Sequence, residues 1–245
     1  MVPDKLSSGL DIPCYMFDCK DRLRPAAFMD IAQQLAGLGS IQLGFSDGDL
    51  SDHGIVWILA RMKVKFLREP GWLAHVNQET WHRGLEGLYF IRDYQLTDDA
   101  GEPYAIATSS WILMDLATRT AMRSDHLPEG LNLNAQSQVA LMDAAPRIRA
   151  PRTAVWEKAG EHKVVYSDLD HNHHANNAKY TVWAMDCLPE DVVIDKSADE
   201  VCICFNREAL PGETVELFHC EAEGLHYVEG KVEGQQVFIF TYLPK

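Results

Sequence analysis

The chain has 245 residues, with 22 Lys and Arg against 36 Asp and Glu, a formal net charge of −14. Hydrophobic residues at 47% and charged residues at 24% exclude a disordered or fibrous chain. The acidity argues against nucleic acid or an anionic membrane as partner, and the longest apolar run, residues 55–60, falls far short of the ~20 that a membrane span needs.

Residues 1–12 contain no apolar signal-peptide core. The six cysteines, Cys14, Cys19, Cys187, Cys202, Cys204 and Cys220, form no Cys-x-x-Cys pair. Reduced thiols and a cytoplasmic location are therefore expected, with Cys202 and Cys204 on one face of a strand as small buried hydrophobes.

Pro25 suits the first turn of a helix, and Ala26, Ala27, Ile31, Ala32, Leu35, Ala36 and Leu38 follow at helical spacing, ending between Gly39 and Gly44. A loop rich in turn formers is expected over 46–54. Strands are expected over 55–67, 72–81, 88–96 and 104–116, with Asp98-Asp-Ala-Gly101 as a hairpin turn. Trp57, Trp72, Trp81 and Trp111 are assigned to the core. Residues 125–153, with Leu127-Pro-Glu-Gly130, an Asn/Gln/Ser stretch and Ala145-Pro-Arg-Ile-Arg-Ala-Pro-Arg152, read as a linker crossing the surface. A second helix spans about 176–187 and stops at Leu188-Pro189, because the residue before proline disfavours helix. Strands are expected again over 200–208, 214–222, 225–232 and 236–243.

The second half repeats the first. Phe66-Leu-Arg-Glu69 answers Phe205-Asn-Arg-Glu208, Pro70-Gly71 answers Pro211-Gly212, Gly87-Leu88 answers Gly224-Leu225, and Gly101 answers Gly234. The separations drift slowly, as in a duplicated unit. Each unit reads as one helix followed by a meander of about four strands. That is α+β, a helix wrapped by a curved antiparallel sheet in the hotdog manner. The division is an N-terminal hotdog over 1–124, a linker over 125–153 and a C-terminal hotdog over 154–245, with the two sheets able to pair edge to edge and protect open edges.

The densest polar cluster is Ser167-Asp-Leu-Asp-His-Asn-His-His-Ala-Asn-Asn177, just before the second helix. Capping and turn formation explain such a loop equally well. Three features favour chemistry. Matching Ala27 to Ala178, a separation of 151, puts Leu23 where His174 stands and Asp21 where Asn172 stands, so the first copy lacks the cluster. Asp170, Asn172 and His174 offer an acid or base, an orienting donor and a second acid or base. The cluster also opens a helix, whose free amides can hold an oxyanion.

The string from Tyr166 to Tyr180, followed by Trp183, resembles the signature of the acyl-acyl-carrier-protein thioesterase family. Trp57-Ile-Leu-Ala-Arg61 and Thr80-Trp-His-Arg-Gly-Leu85 resemble its first half in type and order, and the likeness covers essentially residues 10–240. The resemblance implies two tandem hotdog domains that hydrolyse the thioester linking a fatty acyl chain to acyl carrier protein, without metal or cofactor. It implies Asp170, Asn172, His174 and Glu208 as the catalytic set, and the first hotdog as the acyl-chain pocket. Ala209 stands where many plant members carry cysteine, which favours carboxylate-driven hydrolysis over a cysteine nucleophile. Glu69 answers Glu208 but lacks the other three residues, so a second site is not expected.

His171, His173 and His174 lack the other spacings of a zinc site and read as loop polars. No Gly-x-Ser-x-Gly occurs, and Gly37-Leu-Gly39 lies within a helix rather than after a strand, which sets aside a serine hydrolase and a dinucleotide fold. An acyl-coenzyme A thioesterase and a non-catalytic acyl-binding hotdog remain as alternatives. The expected partner is the acidic carrier protein, docked on Lys20, Arg22, Arg24, Arg147, Arg149 and Arg152, by a chain that is a monomer or a homodimer.

Overall fold

The computed structural model of the chain describes residues 5–122 and 135–245. The expected turn at Leu127 to Gly130 lies outside the described residues. Each half opens on an edge strand, β1 (Lys5–Asp11) or β7 (Glu157–Lys163), that sequence periodicity does not reveal. A helix follows, then four strands: α1 (Pro25–Leu43), β2 (Ile55–Phe66), β3 (His75–Glu86), β4 (Tyr89–Thr97) and β5 (Pro103–Asp115) in the first half. In the second these are α3 (Asn177–Met185), β8 (Ala198–Phe205), β9 (Thr214–Ala222), β10 (Leu225–Val232) and β11 (Gln235–Pro244). A two-residue strand, β6 (Thr120–Ala121), hooks onto β5.

Local chemistry sets these boundaries. Pro25 opens α1, and Gly44, at φ +73°, ends it: its amide donates to the Ile41 carbonyl while the Phe45 amide donates to that of Ser40. The expected loop 46–54 contains a short helix, α2 (Asp47–Ser51), started by a reciprocal cap in which the Ser46 amide donates to Asp49 and the Asp49 amide to Ser46. Another short helix, α4 (Glu190–Asp195), follows Pro189. The strand expected over 72–81 begins later, at His75, because a turn at Gly71, where φ is +82°, precedes it. The strand expected over 200–208 ends at Phe205, which leaves Glu208 in a turn.

The strands form one antiparallel sheet in the order β1-β3-β4-β5-β2-β8-β11-β10-β9-β7, the same order in each half read outward from the seam. The seam pairs Arg61 with Cys204, Met62 with Ile203 and Lys65 with Glu200, and a Lys63–Glu200 ion pair of 3.0 Å crosses it. Met62, Val64, Val201 and Ile203 face one continuous core with α1 and α3, which pack against each other. No helix among the described residues is long and apolar enough to cross a membrane.

The opposite face of the sheet is covered by the chain between the halves, which crosses both of them. Trp81 donates to the Gln138 carbonyl, Arg83 to that of Leu141, and the Ala140 amide to buried Asp93. The Ile148 amide then reaches Cys204 Sγ at 3.3 Å. Cys202 and Cys204 are buried, as expected, and all six thiols are free. Trp72 corrects the sequence reading: it is 54% exposed, lying against Phe17 rather than in the core.

Polar residues sit beneath α1. Arg92 is half-buried, and a Cβ at Gly39 would lie 2.7 Å from its Nη1, so the glycine lets the helix lie close to the guanidinium. Next to it His82, 4% exposed, is pushed down to about 4 by burial and by the Arg92 charge. The unfolded chain takes up this proton below its ordinary value of 6.5, and the folded chain only near 4. Stability from this group is thus present above about pH 6.5 and is lost as pH falls towards 4, by up to about 3 kcal/mol. Thermal melts from pH 7 to 4.5 should show a steeper acid loss for the natural protein than for His82→Gln; parallel curves would contradict this.

Candidate active site

The polar cluster occupies a turn that the fold builds twice. A 3-10 turn at Cys14–Met16 or Tyr166–Asp168 leads into it, and an isolated bridge, Phe17 with Leu23 or Leu169 with Ala175, closes it. These landmarks are 152 residues apart, which corrects the helix-based separation of 151. Asp18 therefore answers Asp170, Lys20 answers Asn172 and Arg22 answers His174. Apolar helix periodicity tolerates a one-residue slip, whereas the hydrogen bonds of a tight turn do not.

Those hydrogen bonds match. The Asp170 amide donates to the His174 carbonyl at 2.9 Å, as Asp18 does to Arg22. Asp170 Oδ1 accepts the amides of Asn172 at 2.8 Å and His174 at 3.3 Å; Asp18 Oδ1 accepts those of Lys20 and Arg22. His173 and Asp21 both take a positive φ, +63° and +56°. The aspartate thus shapes the turn in both copies, so the first copy does retain part of the cluster. Of Asp170, Asn172 and His174, only the side chains at 172 and 174 differ from their counterparts.

In the second half a buried carboxylate anchors the turn from beneath. Asp168 accepts from the Val165 amide at 2.9 Å and contacts His162 Nε2 at 2.8 Å. His162 in turn stacks on Trp183 of α3. Met16 holds the matching place in the first half. His162 carried no signal in the sequence, because its role arises only when edge strand β7 docks beside α3.

Glu208 reaches the site from the turn after β8. The Ala175 amide donates to the Ala209 carbonyl at 3.1 Å, which ties the two loops together. His174 Nδ1 and Glu208 Oε1 then lie 3.6 Å apart, both partly exposed. Arg207 pairs with Glu213, whose carboxylate also accepts the Leu210 amide at 2.8 Å. The structure thus brings Asp170, Asn172 and His174 onto one turn and places Glu208 beside the imidazole.

Three of the amides at the helix terminus are already engaged. The Asn176 amide donates to the Asp168 carbonyl, that of Ala178 to Asn176 Oδ1, and that of Lys179 to the Asn176 carbonyl. The exposed carboxamide of Asn172 is the donor this turn presents instead. His171 and His173 are exposed on the same turn. Among the described residues no group of three or more His, Cys, Asp or Glu is placed to hold a metal ion.

The matching place in the first half is a brace. Arg22 donates to Asp18 at 2.7 Å and to the carbonyls of Val193 and Lys196 at 2.6 and 2.5 Å, so it clamps the turn to the segment around α4. Arg22 is therefore not a free docking cation, contrary to the sequence reading. Glu69, the counterpart of Glu208, is half-buried near the Leu23 amide, and burial raises its carboxyl above the ordinary range. A small cavity lined by Asp18, Arg22, Glu69, Met185 and Tyr242 remains there.

Two family models match the sequence: that of the acyl-ACP thioesterase N-terminal domain over residues 3–126 and that of the acyl-ACP thioesterase C-terminal domain over 154–238. An oleoyl-acyl carrier protein thioesterase of Coriandrum sativum is 25% identical over 232 residues, covering 84% of this chain and 59% of its own length. A palmitoyl-acyl carrier protein thioesterase of Cuphea hookeriana is 26% identical over 186 residues, covering 71% and 43%. The chain thus spans about half the length of such curated relatives. Among solved structures, an acyl-ACP thioesterase from Bacteroides thetaiotaomicron superposes with TM-score 0.88 at 19% identity, covering 99% of this chain and 98% of that one. The 12:0-ACP thioesterase from Umbellularia californica gives 0.85 at 20%, covering 98% of each.

Removing the brace tests its role. Arg22→Ala deletes charged hydrogen bonds worth about 1.5–3 kcal/mol each, not all of which is lost at a partly exposed site, and should lower the melting temperature by roughly 3–10 °C. Turnover of the folded variant, measured well below its melting temperature, should stay within about twofold, because the turn in this half carries neither asparagine nor histidine. An unchanged melting temperature would contradict the brace.

Proposed function

From its membership of the acyl-ACP thioesterase family, to which this chain belongs, we propose that the protein hydrolyses fatty acyl-acyl-carrier-protein thioesters to a free fatty acid and the carrier thiol. The observation that carries this reading is the 3.6 Å approach of His174 Nδ1 to Glu208 Oε1, beside the turn that holds Asn172 and Asp170. A carboxylate and an imidazole in reach of each other can share a proton taken from water.

Each residue has a distinct part. Glu208 draws a proton from water as the oxygen attacks the thioester carbonyl. His174 orients that water and returns a proton to the departing thiolate. The Asn172 carboxamide donates to the developing oxyanion; one such donor is typically worth ~3 kcal/mol. Asp170 shapes the turn through the two amides it accepts, which keeps Asn172 and His174 on one side. No cofactor takes part in this scheme.

The division of labour follows the repeat. Residues 154–245 form the hydrolytic hotdog, 125–153 the linker, and 1–124 the hotdog whose interior beneath α1 takes the acyl chain. The carrier docks on exposed cations, Lys20 and Arg24 on the first turn and Arg147, Arg149 and Arg152 on the linker. Because both copies of the fold lie in one chain, a single molecule holds a complete site, as a monomer or within a homodimer. Free thiols, two of them exposed, suit a reducing cytoplasm.

Glu208→Gln and His174→Ala should each lower the turnover number roughly a hundred- to ten-thousand-fold in a thiol-release assay on acyl-acyl carrier protein. Asp170→Asn should lower it less, since an amide oxygen still accepts the Asn172 and His174 amides. Folded variants at all three positions with wild-type turnover would refute the assignment.

A further inference from the structure

Glu208 meets His174 only because the turn that carries it is pinned, and one of the pins is a side chain with no part in the scheme above. Ala209, fully buried, follows Glu208 directly. Both of its backbone groups are engaged. Its carbonyl accepts the Ala175 amide at 3.1 Å, and its amide donates to the Tyr180 hydroxyl at 2.8 Å. The first bond ties Glu208 to the catalytic turn; the second ties it to α3.

The duplicated half supplies an independent observation. At the separation of 152, Phe28 stands where Tyr180 stands; the strand separation of 139 is kept beyond the strand, where the Ile12 amide donates to the Ala74 carbonyl as Val164 does to Glu213, so Pro70 stands where Ala209 stands and not, as the sequence pairing had it, where Pro211 does. Phenylalanine has no hydroxyl and proline has no amide proton. Donor and acceptor are thus both absent from the half that lacks the asparagine and histidine, and both present in the half that has them. In the first half the carboxylate itself is half-buried near the Leu23 amide instead. Where Tyr180 and the Ala209 carbonyl do the holding, the carboxylate at 208 is released from it.

The Tyr180 ring does not need its hydroxyl for packing. It is held by Trp183, Phe205 and Phe238 at centroid distances of 5.0, 5.6 and 5.5 Å. Burial pushes the phenol up to about 12, so it stays protonated at any working pH.

We propose that Tyr180 is a positioning residue for hydrolysis: its hydroxyl, by accepting the Ala209 amide, fixes the Glu208 carboxylate against His174. This rests on the catalytic reading of Glu208. A catalytic group displaced by about an ångström loses up to about a hundredfold in rate, whereas loss of a hydroxyl that served folding alone would alter stability and leave the folded enzyme's kinetics unmoved.

The test is a double-mutant cycle on the full chain with oleoyl-acyl carrier protein as probe, using wild type, Tyr180→Phe, Glu208→Gln and the double variant. Tyr180→Phe should lower kcat about ten- to a hundredfold with KM within about twofold. In the Glu208→Gln background the same change should cost less than about twofold, because the group it positions is already disabled. Wild-type kcat in Tyr180→Phe beside an inactive Glu208→Gln overturns the role of Tyr180 and leaves the site reading intact. An equal loss in both backgrounds also overturns it. Wild-type kcat in Glu208→Gln overturns both readings. If circular dichroism shows Tyr180→Phe unfolded, Ala209→Pro, which removes the donor as Pro70 does in the first half, takes its place in the cycle with the same expected values.

Discussion

The structure depends on one pairing, β2 against β8. Neither half presents a finished surface there: Met62, Val64, Val201 and Ile203 are apolar on the side that meets the helices, and each strand carries unpaired backbone groups on its open edge. Joining the strands satisfies those groups and merges two half-cores into one, with α1 and α3 in contact across it. On the other face the segment between the halves runs over both, hydrogen-bonded first to β3 and β4 and then to β8. The polar turn in the second half and the core beneath α1 in the first thereby belong to one frame.

Within that frame the same turn appears twice with different uses. Its backbone hydrogen bonds and its aspartate are retained, so the shape was kept while the side chains diverged. In the second half the positions after the aspartate hold asparagine and histidine, and a tethered glutamate comes to the imidazole. In the first half, arginine replaces the histidine and bonds across to α4, and the glutamate is half-buried beside it. One copy leaves its polar groups accessible, and the other uses them to hold the molecule together.

Much of this was legible in the residues. β9 and β10 fall where the residue pattern placed them, because turn formers at Pro211-Gly212, Gly224 and Gly234 bound them. The glycines of the repeat mark the same turns: Gly71 and Gly212, Gly87 and Gly224, and Gly101 and Gly234 all adopt positive φ. Edge strands β1 and β7 were not legible, because a strand with one open side carries charges that obscure alternation, as Glu157, Lys158, Glu161 and Lys163 do. In the site, the motif marked Asp170, Asn172 and His174, and the family resemblance marked Glu208. That His174 and Glu208 touch, that Asp168 rests on His162, and that Arg22 is occupied are products of tertiary docking, and local sequence does not encode them. The one-residue error in aligning the copies arose where only apolar periodicity was available as a guide.

The sheet order has a bearing on solubility. Two separate hotdog units of this kind would leave four open strand edges, each a template on which another chain can add by backbone pairing. Fusion through β2 and β8 conceals two of them. The outer pair lie at opposite ends of the sheet, one lined by alternating acids and lysines on β7 and the other a seven-residue strand, β1, interrupted by Gly9. Self-association into fibrils is thus opposed by the architecture itself, and the shared core can remain apolar without exposing a sticky margin.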